Sequence, residues 1–139
     1  MHRVLVLADG SESSDRAVKA LIRNLAEFRE TPDVHLMNVQ HPFPGTVHVA
    51  RDQSAEAHRQ AGLDAMKSAH RLLDEAGIQY TDHVCVGDVA AVVAEYVDQN
   101  PVDQIVMGTH GRSAAMTLLL GSTAREVIRL VDVPVLLVK

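Results

Sequence analysis

This chain of 139 residues has little of what secreted and nucleic-acid-binding proteins usually contain. Its single cysteine, Cys85, cannot form an internal disulfide, and between Val84 and Val86 we expect a buried, inert thiol. The chain has no tryptophan and only two phenylalanines and two tyrosines, which leaves few platforms for base stacking. Its 13 basic residues are dispersed and its formal net charge is −5, which argues against nucleic acid as a partner.

Long hydrophobic runs are also missing. The apolar run at residues 4 to 8 is too short for the core of a signal peptide or for a membrane span, so we expect a cytoplasmic protein with no membrane partner. The five prolines are scattered, and no repeat or low-complexity stretch interrupts the chain. With 47% hydrophobic residues, residues 1–139 are predicted to form a single domain with one sizeable core.

Catalytic motifs are absent as well. The sequence has no G-x-S-x-G, H-E-x-x-H, C-x-x-C or S-x-x-K. None of its eight histidines has carboxylate neighbours at the spacing of metal ligands, and most are expected on the surface or beside strands. No catalytic residue is therefore predicted.

Hydrophobic periodicity predicts alternating strands and helices. The expected strands are Val4 to Ala8, Val34 to Val39, part of Ile78 to Val86, about Asp103 to Met107, and Val135 to Val138. Such alternation predicts a parallel sheet with helices on both faces, a three-layer α/β/α sandwich. The stretch from Phe43 to about Gln53 has no clear period and is interpreted as a loop, plausibly a lid.

The expected helices have apolar faces at helical spacing. The first is capped by Ser13 or Ser14 and carries Ala17, Val18, Leu21, Ile22, Leu25 and Phe28. The second is long, from about Ser54 to Ala76, with Ala61, Ala65, Met66, Ala69, Leu72, Leu73 and Ala76 towards the sheet and Gly77 at its end. The third begins at Asp88 and ends at Asn100 and Pro101.

The stretch from Met107 to Thr123 is the most informative. Gly108 follows an apolar strand, where the backbone must turn, and Gly121 precedes a helix. Thr123 and Glu126 have capping-box spacing, and the apolar face of that helix is Ala124, Val127, Ile128 and Val131.

Unpaired N–H groups at a helix start, with glycines that allow close approach, suit a phosphate chain. His110 and Arg112 add side-chain donors. The alternative is that each glycine only marks a loop, and that Ser122 or Thr123 merely caps a helix.

The pattern G-x2-G-x9-G-[ST] resembles the ATP-binding signature of the universal stress protein family. Gly108, Gly111, Gly121 and Ser122 fulfil it, and the resemblance extends from Val4 to Val138. It implies a Rossmann-like, adenine nucleotide alpha hydrolase-like fold with strand order 3-2-1-4-5. That order would place Asp9, after the first strand, beside Gly108, after the fourth.

The resemblance also implies the ligand, ATP with Mg²⁺, and a set of site residues. Adenine would lie near Val39, ribose near Asp9 and Gly108, and phosphates over Gly111 to Ser122. The nucleotide-binding positions carried over are Leu7, Ala8, Asp9, Val39, Met107, Gly108, His110, Gly111, Arg112, Gly121, Ser122 and Thr123. Asp9 is the one candidate Mg²⁺ ligand, and its alternative role is that of a turn residue.

Three departures from the family pattern make tight binding of ATP less expected. Leu7 and Ala8 replace a frequent pair before the aspartate, Ala114 replaces a common glycine, and Thr117 stands where a basic residue is frequent.

The implied function is an ATP-binding regulatory module in a stress response, with an unidentified protein partner. The apolar run from Val133 to Val138 would be a sheet edge, and the resemblance implies a homodimer that covers it. Two alternatives remain: a slow ATPase or phosphotransfer enzyme using the same site, and an interaction protein that binds no nucleotide.

Overall fold

A computed structural model describes residues 1–43, 51–110 and 120–139. The elements follow in the order β1 (Arg3–Leu7), α1 (Glu12–Arg23), a 3₁₀ turn (Leu25–Glu27), β2 (Asp33–Gln40), α2 (Arg51–Ala65), α3 (Lys67–Glu75), β3 (Tyr80–Val86), α4 (Val89–Gln99), β4 (Gln104–Gly108), α5 (Ser122–Leu130) and β5 (Val135–Val138). The predicted alternation of strands and helices is confirmed.

The five strands form one parallel sheet in the order β3-β2-β1-β4-β5, as the family resemblance implied. β1 lies beside β4 with Leu5 opposite Ile105, and on its other side it pairs with β2. The chain builds the sheet from β1 through β2 to β3 on one side and then crosses to β4 on the other side of β1. Because the strand order reverses between β1 and β4, a crevice opens at the carboxyl ends of these strands. Any ligand site is expected there.

The helices cover both faces of the sheet. Side chains alternate along a strand, so Val4 and Val6 contribute to one apolar layer and Leu5 to the other. The first layer contains Ala17, Leu21, Met66 and Leu73 from α1, α3 and the α2–α3 junction; the second contains Ala90, Val93, Ala124 and Val127 from α4 and α5. All three of these β1 side chains are fully buried, which explains why β1 is apolar from Val4 onward.

The start and end of α1 differ from the prediction. Ser11, not Ser13 or Ser14, is the N-cap: its Oγ accepts a hydrogen bond of 3.1 Å from the N–H of Ser14. Ser13 and Ser14 are buried in the first turn. The helix ends at Arg23, so Leu25 and Phe28 pack against the core from the 3₁₀ turn and the residue after it.

The predicted long second helix is two helices. α2 begins at Arg51, earlier than expected, and a turn at Met66 separates it from α3. The turn buries Met66 completely, and Ala69 and Leu73 follow it into the core. Ala61 and Ala76, expected on the inner face, are exposed, and Gly62 is buried in place of Ala61.

The Cys85 thiol is only half-buried, whereas the sequence predicted a buried one. Burial nevertheless raises its pKa, which keeps the thiol protonated and unreactive. In the part of the chain that the structure describes, no helix has the length and apolar character needed to cross a membrane.

Candidate functional site

A cavity of about 620 Å³ opens at the carboxyl ends of β1, β2 and β4. Every predicted site residue that the structure describes lines it: Leu7, Ala8, Asp9, Val39, Met107, Gly108, His110, Gly121, Ser122 and Thr123. Gly111 and Arg112, like Ala114 and Thr117, lie outside the described residues. Segments far apart in the sequence therefore meet at one site, as the strand order required.

Asp9 shapes the turn after β1 and also faces the cavity. Its Oδ1 accepts a hydrogen bond of 2.9 Å from the N–H of Ser11, and its own N–H donates to Ser14 Oγ at 3.2 Å. The turn role considered for Asp9 is therefore real. Its second carboxylate oxygen makes no hydrogen bond to a described residue, so it can serve a ligand.

Asn38 joins the ends of β1 and β2, a role that the sequence analysis missed. The side chain is buried, and its Nδ2 donates to the carbonyl of Ala8 at 2.8 Å. Its Oδ1 accepts from Gln40 Nε2 at 2.6 Å. The signal was available, since Asn38 is a polar residue between the apolar Met37 and Val39. These bonds hold the cavity wall between Ala8 and Gln40 in place.

Gly108 lets β4 approach the start of α1. A Cβ atom there would lie 2.8 Å from the carbonyl carbon of Ser13 and 2.9 Å from its Cβ, with Ser13 Oγ closer still. The buried Ser13 hydroxyl in turn accepts from the N–H of His110 at 3.3 Å. Because Gly108 has no left-handed φ, close approach explains this glycine better than the freedom to turn that its position suggested.

The first turn of α5 forms the opposite wall. Gly121 is its N-cap, and the N–H of Gly121 donates to the carbonyl of Thr109 at 2.8 Å. The predicted capping box is wrong, because Thr123 is the second residue of the helix and no described side chain caps it. Glu126 instead pairs with Arg129 at 2.8 Å.

The helix therefore presents to the cavity N–H groups that no described side chain caps. The first-turn N–H groups have no partner inside a helix, and Ser122, Thr123 and Ala124 all line the cavity. Together with the positive end of the helix dipole, such groups favour a bound anion. The predicted apolar face is also partly wrong: Ala124 and Val127 are buried, whereas Ile128 is exposed.

The loop after β4 adds polar side chains. Thr109 donates its N–H to the carbonyl of Val138 at 3.0 Å, which ties the loop to β5. The Thr109 hydroxyl and His110 Nδ1 are 2.8 Å apart and hydrogen-bonded. Thr109 was not predicted, although it lies between two residues that were.

The rim is anchored on the β2 side by stacking. The ring of Phe43 lies 4.0 Å from that of the buried His58, whose Nε2–H donates to the carbonyl of His41 at 3.1 Å. His41 lines the cavity. Most of the stretch that was interpreted as a lid, residues 44 to 50, lies outside the described residues, and Arg51 to Gln53 belong to α2.

Two kinds of side chain line the cavity. Leu7, Val39, Val89 and Met107 are apolar, while Thr109, His110, Ser122 and Thr123 are polar. Among the described lining residues, Asp9 is the only carboxylate, and none is lysine or arginine. Such a cavity suits a ligand with a flat apolar group and an anionic chain, but it offers no described acid–base pair for catalysis.

Comparisons with known proteins agree with this geometry. The sequence model of the universal stress protein family matches residues 1–139. Universal stress protein MJ0531 of Methanocaldococcus jannaschii is 30% identical over 139 residues, which are 99% of this chain and 81% of the relative.

Two solved structures share the fold. Hypothetical protein MJ0577, the subject of a structure-based assignment of biochemical function, has a TM-score of 0.78 at 24% identity, covering 99% of this chain and 95% of the other. A universal stress protein in complex with cAMP has a TM-score of 0.69 at 25% identity, covering 99% and 97%.

Proposed function

Because this chain belongs to the universal stress protein family, we propose that it binds ATP in the cavity and acts as a nucleotide-dependent regulatory module in a stress response. The observation that carries this function is the first turn of α5, which no described side chain caps and which shares one cavity with the apolar wall at Val39. An adenine nucleotide has the matching chemistry, with a flat base at one end and phosphates at the other.

The site suggests a position for each part of the nucleotide. Adenine packs beside Val39 and Val89, where the wall is apolar and backbone groups at the end of β2 are near. Ribose lies between Asp9 and Gly108, and the phosphates meet the N–H groups of Ser122 and Thr123. The relative that forms a complex with cAMP supports an adenine nucleotide rather than another anion.

Mg²⁺ fits this site as a companion of the phosphates. Within residues 1–43, 51–110 and 120–139, no three His, Cys, Asp or Glu side chains form a metal cage. Nucleotide-bound Mg²⁺ usually keeps several waters and takes one or two carboxylates, and Asp9 supplies one through its second oxygen. When bound, the ion would neutralise charge on the phosphates.

A titration of Mg-ATP by calorimetry, followed by an assay for released phosphate, tests this function. We expect one ATP per chain, tighter binding of ATP than of GTP, and no sustained turnover. Turnover that falls in an Asp9→Ala variant would instead support the slow-enzyme alternative. Failure of ATP to bind would contradict the proposed function and favour an interaction protein that does not use nucleotide.

We also propose a homodimer that pairs two copies of β5. This strand forms a sheet edge, and its four residues are only half-buried although all are apolar. The carbonyls of Pro134 and Val138 accept hydrogen bonds from Ile105 in β4 and from Thr109 directly after it, so the alternate residue Leu137 directs its N–H to the open edge. Such an unpaired edge is a template for a second strand.

Light scattering at micromolar concentration is expected to give the mass of a dimer. A Leu137→Pro variant removes the outward N–H without removing a β4–β5 hydrogen bond, and should shift the protein towards monomer by at least tenfold in dissociation constant. Leu137→Val, which keeps the N–H, should remain dimeric. A monomeric wild-type protein would refute the edge pairing.

The regulatory role implies that bound nucleotide changes which protein partner is engaged. We place this activity in the cytoplasm, where ATP is available. Comparing the proteins captured with and without Mg-ATP would identify that partner.

A further inference from the structure

A cluster of three polar rings lies outside the cavity, on the sheet face that α4 covers. His35 Nδ1 and His83 Nε2 are 2.8 Å apart, and the Tyr96 hydroxyl lies 3.4 Å from each of them. His35 is buried, while His83 and Tyr96 are partly exposed. None of the three lines the nucleotide cavity. From this triangle we infer a binding site for one divalent transition-metal ion of the class that prefers imidazole, such as Zn²⁺.

The hydrogen bonds determine which nitrogens are available. Asp33 Oδ2 accepts from Arg3 Nε at 2.9 Å and from His35 Nε2 at 3.1 Å. In the tautomer that donates Nε2–H to this carboxylate, the lone pair of His35 lies on Nδ1, which accepts a hydrogen bond from His83 Nε2–H.

This arrangement resembles the outer shell of known metal sites. A ligating histidine usually donates its other ring N–H to a carboxylate, which fixes its orientation and its tautomer. Asp33 does this for His35, and Arg3 in turn holds Asp33. His35 Nδ1 is thus oriented as a metal ligand before any metal arrives.

The distances are also close to those of a metal site. With metal–nitrogen bonds of about 2.0–2.1 Å, two ligands of a tetrahedral ion lie roughly 3.3 Å apart. Two edges of the triangle are 3.4 Å, and the third, at 2.8 Å, is bridged by a proton. The metal would replace that bridging proton, and His83 would keep a neutral ring by carrying its hydrogen on Nδ1.

The ligand chemistry agrees with this assignment. A neutral imidazole has one ring nitrogen with a free lone pair, so His35 and His83 can each offer one nitrogen to a cation. The Tyr96 hydroxyl, 3.4 Å from both nitrogens, would bind as a neutral, weaker ligand, with water completing the coordination. A site of two imidazoles and oxygen suits Zn²⁺ or Cu²⁺ better than Mg²⁺.

Calorimetric titration with Zn²⁺ tests the site, with His70 as the matched control. His70 is another partly exposed histidine, bonded to Asp82 at 2.8 Å and stacked on Tyr80, but it lies on the opposite face of the sheet. We expect one Zn²⁺ per wild-type chain, at least 100-fold weaker binding in His83→Gln and about tenfold weaker binding in Tyr96→Phe. His70→Gln should bind as the wild type does.

Nitrogen NMR of the wild-type imidazoles gives a readout that does not depend on a variant folding. Zn²⁺ should shift His35 Nδ1 and His83 Nε2 before any other ring nitrogen. Shifts confined to other histidines, or equal Zn²⁺ affinity in His83→Gln and the wild type, would overturn the assignment. Because the site lies outside the cavity, loss of ATP binding in a separate titration would not affect this result.

Discussion

Replacing Ser122 by glutamate is expected to weaken ATP binding by at least 100-fold, about 2.7 kcal/mol, without loss of stability. Ser122 is exposed at the first position of α5 and lines the cavity, so a longer side chain can be accommodated. The new carboxylate would lie where the phosphates are proposed to bind. Two like charges about 4 Å apart near a protein surface repel by about 4 kcal/mol. Calorimetry with Mg-ATP measures the loss.

The same substitution should leave the fold intact or stabilise it. An acidic residue in the first turn of a helix interacts favourably with the dipole, by about 0.3–1 kcal/mol. Thermal unfolding should therefore show an unchanged or slightly raised midpoint. Ser122→Gln adds similar bulk without charge, and Gln79→Glu adds the same charge at an exposed position before β3. If either control variant lost as much affinity for ATP as Ser122→Glu, repulsion between the carboxylate and the phosphates would not explain the loss.

Replacing Gly108 by alanine is expected to lower the free energy of unfolding by about 3 kcal/mol. The new Cβ would meet the backbone and side chain of Ser13, and a backbone carbon 2.8 Å away cannot move without displacing the start of α1. Chemical denaturation measures the change. The cavity wall includes Gly108 and the neighbouring Asp9 turn, so ATP binding should weaken as well.

Two comparisons separate this clash from a general effect of replacing glycine. Gly77→Ala has open space around it but a φ of 71°, and should lower stability by only about 1 kcal/mol. Adding Ser13→Gly to Gly108→Ala removes two of the three close atoms. The double variant should therefore lose at least about 1 kcal/mol less unfolding free energy than the two single variants lose in sum. Equal losses in Gly108→Ala and Gly77→Ala would show that the close approach to Ser13 is not what requires glycine.

The lining of the cavity was largely predictable because many of its residues occupy positions that sequence patterns mark. Asp9 and Gly108 follow buried apolar strands, and Gly121 precedes a helix with buried Ala124 and Val127. Strand ends and glycines are visible without knowledge of tertiary contacts. The strand order, however, came from a family resemblance, because periodicity contains no information about which strands are neighbours.

The errors arise where several local choices have similar energies. Ser11, Ser13 and Ser14 can each cap α1, and burial of the last two decides for Ser11. Thr123 and Glu126 have capping-box spacing, yet the helix already begins at Ser122. Its N-cap is Gly121, whose N–H donates to the carbonyl of Thr109. Such competition is decided by packing between segments, which lies beyond a local pattern.

Contacts between strands were the least predictable. The contacts of Asn38, and the contact between His35 and His83, depend on the register of β2 against its neighbouring strands. In that register Met37 lies opposite His83. A shift of one residue would move each side chain to the other face. A polar residue in an apolar strand can be noticed, but its partner cannot be identified from the sequence alone.

Amide chemical shifts recorded during a titration with Mg-ATP test the central claim most directly, since they show both whether ATP binds and where. We predict the largest changes at the N–H groups of Ser122, Thr123 and Ala124, with further changes at Asp9 and Gly108. Little change is expected around His83, which does not line the cavity. Saturating Mg-ATP that leaves the first turn of α5 unshifted, or that shifts only residues outside the cavity, would contradict the assignment of this cavity as the nucleotide site.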